Sequence, residues 1–409
     1  MTPRLRWPLA HARKAAEAVR SALASWVEPA GQRVPRVPKL ASPSGLESQP
    51  GSAKPADPAD PANPAPAATR PRGLVFQGTV WPGGHQAPLV DGLVLVDSHG
   101  TVAGLGPRGA MDVPNLPRFG GPHHWVGPSV IDTHVRYGVG SVDEASPFGG
   151  VVAVRDLTDL ALRDLILSGA SAGEVSQLVA SGSAAGAQWV SLELRPGDKP
   201  PPRSLVAVAQ AADSVGLPFL VHTRSLPLAL RALAAGADGL GSVPLNPMDD
   251  DAVETFARHG VAVTGLLQDA YPSGAGGVAA RNAALLHAAG VTLLYGSGAT
   301  RGTPPRVDPR ELERLAAAGL GRWGAMRAAT DLAARARGLE SRSLTGRLVR
   351  GQRAELVVLA DDPTIEPAAW RSAVAVCSGT RVSSDSASPR TWPTGPAPSS
   401  AGPAERVLA

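Results

Sequence analysis

Cysteine is almost missing: Cys377 stands alone among 409 residues. That excludes a disulfide framework and any zinc cluster built on thiolates. Its setting, "AVAVCSG", reads as a strand in which the thiol is a small buried hydrophobe. Aromatic residues are scarce at 4%, yet hydrophobic residues reach 43%, enough for a large core in the ordered part. No apolar run approaches the ~18 residues of a transmembrane helix. The N-terminus has charges but no continuous apolar stretch behind them, which argues against a secretory signal. A soluble, cytoplasmic protein is expected. There is no P-loop, no dinucleotide fingerprint and no "GxSxG" elbow; "GGVAAR" and "GAGG" lack the strand–helix context and read as loops.

A basic body is missing too. The net charge is +4, but residues 1–72 hold 11 Lys/Arg against 5 Asp/Glu, and the remainder 28 against 30. The basicity belongs to the tail, so no nucleic-acid partner is expected for the body.

Glycine (46) and proline (40) are abundant and mark the boundaries. Residues 1–40 include a basic stretch with Ala15, Val19, Leu23 and Trp26 at helical spacing. A membrane-surface role for it is the weaker reading, because alanine supplies little area to bury. Residues 41–72, with "KPADPADPANPAPAA", form an extended linker, since proline every third residue sustains neither helix nor sheet. Residues 73–127 carry short β-rich runs, and β texture returns at 344–384 after a helical stretch over 308–338. These two segments are expected to pair into one small composite β-sandwich domain. Residues 385–409 are Ser/Pro-rich and expected to be disordered.

Between them, residues 128–343 alternate. "SVIDTHV", "GVVAVRDL", "RDLILSG", "AQWVSLEL", "LPFLVHT", "GADGLGSV", "GVAVTGLL" and "GVTLLYGSG" are eight short apolar runs, with helical candidates at 203–214, 226–235, 248–259 and 278–289. Eight alternations in this length predict an α/β fold with a (β/α)₈ TIM-like barrel.

From about 73 to 383 the chain resembles the amidohydrolase superfamily, in its imidazolonepropionase- and prolidase-like branch. The resemblance rests on "DGLVLVDSHGTVAGLGP", "WVGPSVIDTHVRYG", "GVVAVRDL" and the long segment "ELERLAAAGLGRWGAMRAATDLAARARGLESRSLTGRLVRGQRAELVVLADDP". It implies a barrel with a composite sheet domain and an ancestral metal-assisted hydrolysis of non-peptide C–N bonds in amides or cyclic amides. It also implies ligands at the C-terminal ends of the strands: two histidines from strand one, a lysine or glutamate from strand four, one histidine each from strands five and six, and an aspartate from strand eight. Such ions lower the pKa of a bound water toward neutrality.

Set against that pattern, His134 and His222 remain. Arg136 stands where the second strand-one histidine belongs, Ser191 at the strand-four position, Ser242 at strand six and Gly298 at the strand-eight aspartate. Arginine stays protonated and has no lone pair to offer a metal. Gly298 removes the residue that would be both ligand and general base. Glu193, Asp132 and Asp156 are candidate substitute ligands, as are His123 and His124 in "GPHHWVG", placed just ahead of strand one. The segment between "VRDL" and "AQWVSLEL" is also short for the family, so a lid or recognition element is expected to be missing.

Two readings follow. In the first, Arg136 and Arg224 join His134 and His222 at the mouth of the barrel, guanidinium charge replaces metal charge, and the pocket binds a small, anionic metabolite without cofactor or hydrolysis. In the bland form of this reading, the histidines are packed relics and Arg136 pairs with Asp132 or Asp156. In the second, one divalent ion (zinc, manganese or iron) is held weakly by His134, His222 and a carboxylate such as Glu193, and the chain hydrolyses a C–N bond. Pairing through the barrel is common in the family, which makes a homodimer an expectation.

Overall fold

The computed structural model describes residues 73–113, 115–136, 151–156, 161–300, 306–336, 338, 344–371 and 373–384; for 152–156 and 161 it describes the backbone alone. The N-terminal helix, the linker and the C-terminal tail read from the sequence lie outside the described residues, as does the side chain of Asp156. Among the described residues no helix is long and apolar enough to cross a membrane.

One seven-stranded sheet draws on both ends of the described chain. Its strands are β1 (Gly73–Val80), β2 (Leu89–Asp97), β3 (Val102–Pro107), β4 (Arg118–Pro128), β13 (Glu355–Leu359), β14 (Ala373–Ser378) and β15 (Arg381–Ser384), in the order β15-β14-β13-β4-β1-β2-β3. They form one continuous hydrogen-bonded sheet, not two separately bonded ones. The side-chain period of two explains how it is held. On β13, Leu356 and Val358 join Leu74, Phe76 and Val94 in one core, while Val357 and Leu359 face the other way and pack with Trp125 and Val130 in a second. Cys377 lies fully buried in the first core, where burial pushes its thiol up to about 12. Asp362 accepts bonds from the Thr364 amide and hydroxyl, the turn expected of "LADDP".

The remaining strands run parallel. β5 (Val130–Arg136) pairs with β6 (Val151–Asp156). β7 (Val190–Glu193), β8 (Phe219–His222), β9 (Gly239–Leu240), β10 (Ala262–Thr264) and β11 (Thr292–Leu294) form a second group. The chain from 292 to 300 joins the groups: β11 pairs with β10, the Thr133 amide donates to the Tyr295 carbonyl at 3.1 Å, and β12 (Ala299–Thr300) pairs with β5. Helices α3 (Pro202–Ser214), α4 (Leu226–Ala235), α5 (Asp250–His259) and α6 (Gly276–Ala288) connect the strands. Their ends follow local chemistry. Asp249 caps α5 by accepting from the Ala252 amide at 2.9 Å, and Gly260, at φ 63°, stops it.

The sequence reading fails at one strand. The first five residues of "RDLILSG" are helical, within α1 (Ala161–Leu167), and α2 (Ala172–Ala184) follows behind a Ser171–Glu174 capping box. The reason is periodicity. Leu162 and Ile166 are buried four residues apart, and Arg163 turns aside to bind both carboxylate oxygens of Asp198, at 3.0 and 2.6 Å. Among the described residues, no strand lies between β6 and β7.

Behind β11, the helical stretch splits into α7 (Pro309–Leu315), α8 (Gly321–Ala328) and α9 (Asp331–Ala336). Gly319, at φ 105°, separates the first two. Trp323 on α8 packs on Trp81, Trp81 on Trp125, and Trp125 on Trp370, with ring centroids 5.5, 6.1 and 6.1 Å apart. This run of indoles fastens the seven-stranded sheet to the helices around the parallel strands.

Candidate functional site

The C-terminal ends of β5 and β8 carry the candidate site residues. His134 is fully buried, and its Nδ1 lies 2.6 Å from the Gly241 carbonyl oxygen. A carbonyl only accepts, so Nδ1 carries the proton. Gly296 makes the approach of β11 possible: a Cβ there would come within 2.8 Å of the His134 Cβ and 2.5 Å of the Thr264 methyl. The His222 ring meets His134 edge to face at 4.4 Å between centroids.

Arg136 ends β5 and donates a hydrogen bond to His222 Nε2. A guanidinium cannot accept, so Nε2 presents its lone pair to the arginine and the imidazole is neutral. Burial holds His222 well below the usual histidine range, and its neighbours His134, Arg136 and Arg224 push it further in the same direction. The nitrogen that would ligate an ion is therefore spent on a side-chain cation.

The other positions read from the sequence fall as follows. Asp132 is fully buried, and its Oδ1 accepts from the amides of His134 and Ser297, both at 3.0 Å, so it clamps β5 to the chain after β11. Glu193 is register partner of His222 and sits 3.5 Å from Arg195 Nε. Ser191 is buried on the same strand, and Ser242 donates to the Thr223 carbonyl at 2.8 Å. His123 and His124 lie on β4, in the seven-stranded sheet. Gly298 adopts φ 68°, a left-handed conformation that a strand-eight aspartate would enter only with strain.

Three neighbours of these residues, Asp269, Glu311 and Tyr295, were not legible. Arg224 is engaged by the Asp269 carboxylate and by its backbone carbonyl, the latter at 3.4 Å. Asp269 lies on a short 3₁₀ turn, Gln268–Ala270, just after β10. Glu311, on α7, is buried and accepts from the Gln268 amide at 2.6 Å, with its other oxygen against Gly265, where a Cβ would stand 2.6 Å away. Burial raises its carboxyl to about 7. Tyr295, fully buried, accepts from the Asp308 amide at 2.7 Å, and burial, with Asp132 beside it, pushes its phenol well above the usual range.

Amidohydrolase folds imply a divalent ion at this place, and these side chains do not fit one. Two imidazoles converge, one with its lone pair held by a guanidinium, and among the described residues no three His, Cys, Asp or Glu side chains gather as a metal site.

No family model and no curated sequence matches the chain. Solved structures do. A Xaa-Pro dipeptidase with bound methionine superposes with a TM-score of 0.63 at 16% identity, over 76% of this chain and all of its own. Molinate hydrolase matches at 0.60 and 16%, over 76% and 95%, and ochratoxinase from A. niger at 0.61 and 15%, over 76% and 96%. Architectures this alike, at identities this low, establish the fold and leave chemistry to the side chains: the chain has an amidohydrolase-superfamily fold.

Proposed function

We propose that this chain uses the amidohydrolase architecture without its metal, as a protein that binds a small anionic molecule at the C-terminal mouth of the parallel strands and does not hydrolyse it. One observation carries the reading: the Arg136 guanidinium donates into the His222 nitrogen that a metal would need. Ser242 and Gly298, in place of a ligand and a base, point the same way. In this reading β5 to β11 wrap into a barrel in which the α1–α2 segment stands in for a third strand, and the seven-stranded sheet is a composite domain riding on it. Calorimetry with a panel of carboxylates and phosphates tests the reading. Binding that weakens on Arg136→Ala is expected; no binding, or binding indifferent to that change, rejects it.

A second reading has one observation in its favour. Glu193 is the register partner of His222 on the neighbouring strand, so if Arg136 released His222 Nε2, His134, His222 and Glu193 are the residues that would hold a single zinc, manganese or iron ion, which when bound would supply an activated water for C–N hydrolysis. Stoichiometric metal in protein purified without chelator would favour this reading over the first.

A further inference from the structure

The two arginines at the mouth are engaged differently. Arg136 is bound to a buried imidazole. Arg224 is bound to the Asp269 carboxylate, whose side chain is 52% exposed. The carboxyl carbon of Asp269 stands 3.9 Å from where a Cβ on Gly298 would lie, with Leu266 at 3.5 Å as the other near neighbour. Asp269 thus occupies the space beside the position that has lost its own carboxylate.

The backbone of this turn is fixed from behind. Glu311 takes the Gln268 amide, Arg314 donates to the Gln268 side-chain oxygen at 3.0 Å, and the Arg314 guanidinium lies 3.2 Å over the Tyr271 ring. Arg224 also keeps its contact with the Asp269 carbonyl. Rotation of one exposed side chain therefore frees one face of Arg224 while the turn and the arginine stay in place. An ion pair this open to water is weak and easily exchanged.

We infer that Asp269 is an internal stand-in for the ligand, a latch on the mouth, and that the molecule bound there is a small carboxylate which displaces the Asp269 side chain from Arg224. The class follows from the resident occupant. Arg136, held by His222, contributes its charge to the mouth, and Arg224 is the arginine whose present partner, one carboxylate oxygen, can leave. A phosphate dianion would ask for more positive charge than a single exchangeable arginine offers.

This inference rests on the anion-binding reading above, and the test separates the two. Acetate, succinate and inorganic phosphate are titrated calorimetrically into the full chain, Asp269→Asn and Arg224→Gln, with thermal unfolding to confirm that each variant is folded. Asp269→Asn is expected to bind acetate or succinate about fivefold tighter than wild type, the scale of an exposed ion pair. Arg224→Gln is expected to lose that binding. Wild-type binding of carboxylates with no gain in Asp269→Asn overturns the latch and leaves the site. Binding of phosphate but not carboxylates overturns the ligand class. Binding of none of the three by any of the proteins removes the site and the latch together.

Discussion

Trp125 and Arg136 lie on consecutive strands, and their surroundings are held together by different physics. Around Trp125, both faces of the sheet are apolar, and alternating side chains fill two cores. Around the half-buried Arg136 the side chains are polar and linked by hydrogen bonds: guanidinium to imidazole, imidazole to carbonyl, carboxylate to strand amides. The first region carries the fold and tolerates little change. The second holds the candidate site proposed above, and its polar side chains lie outside the two apolar cores of the first. The difference teaches that architecture and chemistry are stored in separate sets of residues, so a strong structural likeness to hydrolases is compatible with a mouth composed for another task.

The comparison breaks or holds on measurement. Trp125→Ala should cost about 3–5 kcal/mol of stability, because it removes the middle of the indole run and leaves a cavity. Denaturant unfolding reads this, and the folded variant should bind acetate as wild type does. An equal cost for Arg136→Ala would erase the distinction between the regions.

Next comes Glu311. Its ordinary carboxyl value of 4.5 is raised to about 7 in the folded chain, chiefly by burial. The folded state therefore favours the protonated form. That contribution is complete below pH 4.5 and is lost as pH rises through 7, a total of roughly 3 kcal/mol. Unfolding midpoints across this window should fall with pH in wild type and flatten in Glu311→Gln. A wild-type curve without that fall would show that the turn under Asp269 is not anchored by a neutral acid.

A smaller effect belongs to Arg136 itself. Arg136→Ala should shift stability by about 1 kcal/mol, the worth of one hydrogen bond at a partly exposed site. It should also raise the His222 pKa, since a neighbouring positive charge is gone, while burial keeps the ring below its ordinary value. Denaturant unfolding reads the first, and histidine side-chain NMR against pH reads the second.

Much of this was legible in the sequence, and the failures have physical causes. The β runs and four of the helices could be placed because capping residues, glycine stops and apolar spacing are local signals. His134, Arg136 and His222 could be placed because a strand puts alternate residues on one face. "RDLILSG" misled because a short apolar run fits a strand or a buried helix equally well, and only the burial of Leu162 and Ile166 on one side decides it. Glu311 was hidden in "DPRE", where a glutamate three residues after an aspartate cap looks like part of the helix start; its inward turn to Gln268 depends on a loop far away in sequence. Asp269 carries no spacing signal, because its partner Arg224 is brought to it by the packing of strands. The bland expectation placed Arg136 against Asp132 or Asp156. The structure shows Arg136 donating to His222 and Asp132 Oδ1 accepting two backbone amides, and the Asp156 side chain lies outside the described residues.

The central claim is that a guanidinium holds the His222 lone pair that a divalent ion would require. Zinc titrated into protein carrying ¹⁵N-labelled histidine tests it most directly, with the His222 ring nitrogens observed throughout. A neutral ring protonated at Nδ1, with Nε2 accepting a hydrogen bond, unmoved by an equivalent of zinc, is expected. A His222 Nε2 resonance that moves stoichiometrically on zinc addition, and stays still when His134 is replaced by alanine, would contradict it.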